Sequence, residues 1–123
     1  MHTYQLTGEA KIVGCLEFID TLLEAGVKFI LFAHHLNVLD AFEAHVKKKD
    51  VEYIRIDGSV SSEKRHLRVQ EFQKNEEVKI AILSLMACSQ GITLTAASTV
   101  VFSELHWTPS LMNQAEDRAH RIS

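Results

Sequence analysis

Phe29-Ile30-Leu31-Phe32-Ala33-His34-His35 decides the class of fold. Four consecutive large apolar residues leave neither face of a strand polar, so the strand must be covered on both sides. Strands of this kind belong to parallel sheets flanked by helices. Upstream, Ile12, Leu16, Ile19, Leu22 and Leu23 recur at helical spacing and Gly26 supplies a stop, which predicts an amphipathic helix. Downstream, Leu36, Leu39, Phe42 and Val46 predict a second helix that ends in the exposed run Lys47-Lys48-Lys49. A short strand over 53–56 and a turn at Asp57-Gly58 follow. Ser61 or Ser62 caps a third helix running through Phe72, a solvated loop over 74–77 precedes an apolar strand over 79–83, and 99–102 is the next strand. Thr108-Pro109 offers a cap and an N1 proline for a final helix. Alternation of this kind predicts a three-layer α/β domain with a mostly parallel sheet, right-handed crossovers and helices on both faces.

A chain of 123 residues with 46% apolar content fits one domain with a single core. The net charge of −3 excludes nucleic-acid binding by bulk charge, so any DNA contact must rest on a local basic face. Cys15 and Cys88 are too few and too separated for a disulfide framework or a zinc site. The seven histidines lack the HExxH spacing, so no metal site is expected. Without a signal-like or membrane-spanning run, the expectation is an intracellular, reduced chain with no membrane partner.

In parallel sheets ligands gather beyond the carboxyl ends of the strands. Here those ends carry Ala33-His34-His35, Asp57-Gly58-Ser59, Ser84 through Gly91, and Ser103-Glu104. The small and polar residues from Ser84 to Leu94 would let backbone N–H groups approach an anion, or would simply connect strand to helix with Gly91 serving a turn. Ser59, Ser61 and Ser62 precede Lys64, Arg65 and Arg68, which suits either a nucleic-acid backbone or plain capping beside a solvated face. Trp107, the one tryptophan, is either a stacking group for nucleic acid or a core anchor.

In Gln114-Ala115-Glu116-Asp117-Arg118-Ala119-His120-Arg121-Ile122-Ser123, helical spacing puts Arg118 and Arg121 within about 60° of each other, with Gln114 on the same stripe. Two guanidinium forks on one face can grip phosphate. They can equally complement the helix dipole, with Asp117 and Arg121 as an i,i+4 ion pair. No GxxxxGK[ST] loop and no acidic box after an apolar strand is present, so the segment has no means of cradling a nucleoside triphosphate alone.

Taken together, these stretches resemble the C-terminal RecA-like lobe of Swi/Snf-type superfamily 2 DNA translocases, a P-loop-NTPase-like fold, from about Lys11 to Ile122. Phe29 to His35 is similar to that family's motif IV, Tyr53-Ile54-Arg55-Ile56-Asp57-Gly58-Ser59 to the segment after it, Ser84 to Thr95 to motif V, and Gln114 to Ile122 to motif VI. The forms Phe-Ala-His-His, Ile-Arg-Ile-Asp-Gly-Ser and Gln-Ala-Glu-Asp-Arg-Ala-His-Arg-Ile resemble most the annealing-helicase subgroup, which includes the HepA-related fork-remodelling enzymes.

The resemblance implies that Arg118 and Arg121 are arginine fingers, and that Gln114 and Gly91 lie at the nucleotide, an ATP with magnesium held mainly by a preceding lobe. It also implies that His34, Ser59, Arg65, Ser84, Thr93 and Trp107 face double-stranded or forked DNA, in a nuclear DNA-dependent ATPase. Cys88 and Ser89 stand where many relatives have glycine, Glu104 where aspartate is commoner, and Ser123 where glycine follows the isoleucine. Residues 11–123 would be the second lobe, ending just after motif VI, with 1–10 an extension partly of cloning origin. Alone, the segment is expected to hydrolyse nothing. The alternative is a degenerate lobe that acts as a non-enzymatic DNA- or protein-binding unit. A receiver-type signalling domain would need aspartates at the first strand end, where Ala33-His34-His35 stands.

Overall fold

The computed structural model describes residues 2–5, 12–85, 87 and 94–103. Among these residues, five strands and three helices follow one another: β1 (His2–Gln5), α1 (Ile12–Glu24), β2 (Phe29–Ala33), α2 (Leu36–Lys48), β3 (Glu52–Ile56), α3 (Ser62–Lys74), β4 (Val78–Ser84) and β5 (Thr99–Phe102). The sheet order is β1-β5-β2-β4-β3, and every pairing is parallel.

This order determines which face each helix covers. The chain steps in one direction from β1 to β2 and from β2 to β3, then returns to β4. Right-handed crossovers therefore place α1 and α2 on one face and α3 on the other. The side chains agree. Phe29, Leu31 and Ala33 of β2 pack with Ile19, Leu22, Leu39, Phe42 and Val46 of α1 and α2. Ile30 and Phe32, alternating to the opposite side, pack with Phe72, Ile54, Ile56 and the connection residues Leu85, Leu94 and Ala97. All five β2 residues are buried, as its unbroken apolar run predicts.

Local chemistry sets the element ends. Gly26 stops α1 with φ +73°, while Gly26 N–H bonds to Leu23 O and Val27 N–H to Leu22 O, the Schellman pattern. At the end of α2 the same two bonds recur, Asp50 N–H to Lys47 O and Val51 N–H to Val46 O, but the left-handed residue is Asp50, with φ 57°. That stop carries no glycine and was invisible in the sequence. Ser61 caps α3, its Oγ accepting the Lys64 N–H at 3.3 Å. The helix runs two residues past Phe72, so the loop expected over 74–77 shrinks to a tight Asx turn in which Asn75 Oδ1 accepts the Glu77 N–H at 2.9 Å.

Two further ties join elements distant in sequence. His45 of α2 meets Asp20 of α1 at 2.7 Å, with Lys49 3.5 Å from the same carboxylate. Burial would raise the Asp20 pKa, but the bond to His45 and the nearby Lys49 outweigh it and hold the carboxyl below its ordinary value. On the other face Gln73 clamps the connection into β5, donating to Thr95 Oγ1 at 2.9 Å and accepting from Ala96 N–H at 2.8 Å. Leu94 and Ala97, both buried, anchor that connection on either side of the clamp.

Residues His2–Gln5 form an edge strand, paired from His2↔Thr99 to Gln5↔Phe102. The sequence had announced no element there. Among the described residues, no helix is long and apolar enough to cross a membrane.

Candidate nucleic-acid interface

Because all strands are parallel, their carboxyl ends share one edge of the sheet, and the loops singled out from the sequence meet there. Ala33 lies opposite Ser84, Ile56 opposite Leu83, and Phe32 opposite Phe102. His34, Asp57, Ser84 and Ser103 thus end up along one rim, on neighbouring strands spaced about 4.8 Å apart. The chain leaves β2 toward the α2 face, whereas it leaves the adjacent β4 toward the α3 face. In parallel sheets a divergence of this kind marks the switch point beyond which ligands are held, here between His34-His35 and Ser84-Leu85. Ser103 pins the rim on the β5 side, its N–H and hydroxyl both donating to Phe32 O, at 3.1 and 3.0 Å.

Four of the expected contact residues are described. His34 is exposed, its ring edge-to-face with His35 at 4.9 Å. Ser59 is exposed in the turn after β3. Arg65 is half-buried on the first turns of α3, donating to Ser62 Oγ at 3.1 Å. Ser84 is buried, with 4% of its surface accessible. Gly91, Thr93, Trp107, Gln114, Arg118 and Arg121 lie outside the described residues, as do Cys88, Ser89, Glu104 and the expected final helix.

The structure also assembles a cluster whose members come from α2, β3 and the turn after β3. Tyr53 and Arg55 alternate onto the α2 side of β3, while Ile54 and Ile56 enter the core beneath α3. The Arg55 guanidinium meets Asp40 at 2.6 Å and Glu43 at 3.0 Å, both on α2, and Asp57 at 3.1 Å. Tyr53 donates its hydroxyl to Glu43 at 2.6 Å. Burial and that carboxylate push the phenol up to about 12. Arg68 of α3 donates to Arg55 O at 2.6 Å, covering a carbonyl on the outer edge of β3. A polar cavity of about 420 Å³ runs along this edge, and its lining includes Glu43, Arg55 and Asp57 together with Lys64, Arg68 and Glu71. The spacing of Arg55 and Asp57 was a visible signal, since residues two apart on a strand share a face.

Asp57 is 7% exposed. Its carboxyl lies below the ordinary value of 3.8, held there first by the Ser59 hydroxyl, against the opposing effect of burial, and then by the Ser59 N–H and Arg55. A depressed folded-state pKa adds stability that is complete above the unfolded value and is lost as pH falls through the folded one. Asp57→Asn should therefore flatten the acid side of the stability profile, with the gap to wild type closing below about pH 4. Urea midpoints between about pH 5 and pH 3 check this: an equally steep acid loss in the variant would exclude Asp57 as a contributor.

Residues 11–123 match the model of the helicase conserved C-terminal domain, and the chain belongs to that family. It is 51% identical over 120 residues to the SWI/SNF-related matrix-associated actin-dependent regulator of chromatin subfamily A-like protein 1 of Xenopus tropicalis, and 48% identical to the DNA annealing helicase and endonuclease ZRANB3 of Homo sapiens. Each match covers 97% of this chain but only 13% and 11% of the relative, so the chain spans about an eighth of those proteins. Among solved structures, the C-terminal part of the Fun30 ATPase domain superposes with a TM-score of 0.83 at 28% identity, covering 94% of this chain and 38% of that one. The Sulfolobus solfataricus SWI2/SNF2 ATPase core in complex with dsDNA gives 0.71 at 27% identity, covering 94% and 25%. These likenesses bear out the Swi/Snf-type lobe and the α/β class expected from the sequence.

Proposed function

We propose that this chain is the second motor lobe of an ATP-dependent double-stranded-DNA translocase of the annealing-helicase type. In that role it presents its strand-end rim to one DNA backbone and two arginines to an ATP held by the preceding lobe. The observation that carries the reading is the convergence of His34, Ser59 and Arg65 on the carboxyl side of an all-parallel sheet, with Ser84 buried beneath the same rim, in a chain without a phosphate-cradling loop. The similarity to a lobe solved within a DNA-bound ATPase core supports the same placement. Gly91, Thr93 and Trp107 would extend the DNA-facing rim, and Gln114, Arg118 and Arg121 would reach the nucleotide. Magnesium would be bound together with the ATP, mainly by the preceding lobe. Forked DNA as substrate and a nuclear setting follow from the same reading. Nucleotide closure of the two lobes, released on hydrolysis, would step the rim along the backbone.

Steady-state turnover of the full-length protein, with and without duplex DNA, tests this. Hydrolysis stimulated by DNA is expected. A protein that binds duplex DNA yet hydrolyses no ATP would favour the non-enzymatic binding unit instead.

A further inference from the structure

We infer that Asp57 and Arg55 are positioning residues for the DNA-facing turn after β3, and that Ser59 acts through Asp57 instead of touching DNA. The inference rests on the proposed DNA-facing role of the rim and assigns the work within it.

A carboxylate buried at a strand end must be compensated by hydrogen bonds and opposite charge. Asp57 has both. Its Oδ1 accepts the Ser59 N–H at 2.8 Å and the Ser59 hydroxyl at 2.5 Å, and its Oδ2 accepts Arg55 Nε at 3.1 Å. The Val60 N–H donates to the Asp57 carbonyl at 3.2 Å, closing the turn a further time. An ionised carboxylate only accepts, so the hydroxyl proton between Ser59 and Asp57 belongs to Ser59 and points at Asp57. Ser59 has one backbone donor and one side-chain donor, and both are engaged within the turn. A phosphate oxygen also only accepts, so while this turn holds, Ser59 has nothing to donate to a DNA backbone.

The same network carries the turn's position outward. Arg55 Nη1 donates to Asp40 and Glu43 of α2, and α2 begins immediately after His34-His35. The loops after β2 and β3 therefore share one support, with Arg55 bridging α2 to Asp57. In that arrangement the exposed turn presents its shape, and neighbouring groups make the contacts.

A double-mutant cycle on duplex-DNA affinity of the full-length protein decides between indirect and direct action. Ser59→Ala should weaken binding roughly 3–10-fold by loosening the turn, Ser59→Thr should restore it by returning the hydroxyl, and Ser59→Ala should cost nothing further in an Asp57→Ala background. Equal losses from Ser59→Ala in both backgrounds would mean a direct contact and overturn the inference, as would an affinity unchanged by Ser59→Ala. If Asp57→Ala does not fold, amide exchange in Ser59→Ala settles the matter. Faster exchange at the amides of positions 59 and 60, together with weaker binding, upholds the inference; weaker binding with unchanged exchange overturns it. A wild-type protein that does not bind duplex DNA at all would instead sink the proposed function, and this inference with it.

Discussion

Replacing Arg118 or Arg121 with Ala in the full-length protein is expected to slow DNA-stimulated ATP hydrolysis on the order of 10³-fold, while duplex-DNA affinity changes little. The size follows from the chemistry. Charge accumulates on the transferring phosphoryl oxygens, and a guanidinium fork stabilises it bidentately at a point where water is excluded. Lys in place of either arginine keeps the charge but loses the planar fork, so it should recover only part of the rate. Single-turnover rates measured beside DNA binding separate the two roles. Undiminished turnover in both alanine variants would leave the arginines as ordinary helix-end charges, the alternative that the sequence left open.

Phe32→Ala should cost about 3–5 kcal/mol, a large part of the total stability of a domain this size. Phe32 is fully buried in the middle strand of the sheet, paired on one side to β4 and on the other to β5. Its ring stacks on Phe102 at 5.4 Å between centroids and 14° between planes, so truncation opens a cavity and removes an aromatic pair together. Leu67 is the control. It is exposed on α3, and Leu67→Ala should stay within about 0.5 kcal/mol. Urea midpoints of the domain read both; a Phe32 loss no larger than that at Leu67 would contradict the assigned core.

Much of this fold is written in local sequence. The run Phe29 to Phe32 marks a strand covered on both faces, Gly26 marks a helix stop, and Ser61 marks a cap, because each depends only on its near neighbours. What depends on distant partners could not be read. His2–Gln5 is short and polar, and becomes a strand only because β5 pairs with it. The end of α2 rests on Asp50 in a left-handed conformation that usually selects glycine. Arg55 and Asp57 announce a shared face, yet Asp40 and Glu43 come to them only when α2 crosses the sheet. The rim itself was legible once parallel strands were assumed, since every carboxyl end then falls on one side. The direction of the Ser59 hydroxyl was not, because it is set by the burial of Asp57.

The proposed function requires a division of labour between two lobes at one nucleotide. Its most direct test is DNA-stimulated ATP turnover by three preparations: residues 1–123 alone, the proposed preceding lobe alone, and the two joined. Turnover is expected only in the joined protein. ATP hydrolysis by the 123-residue chain on its own would contradict it.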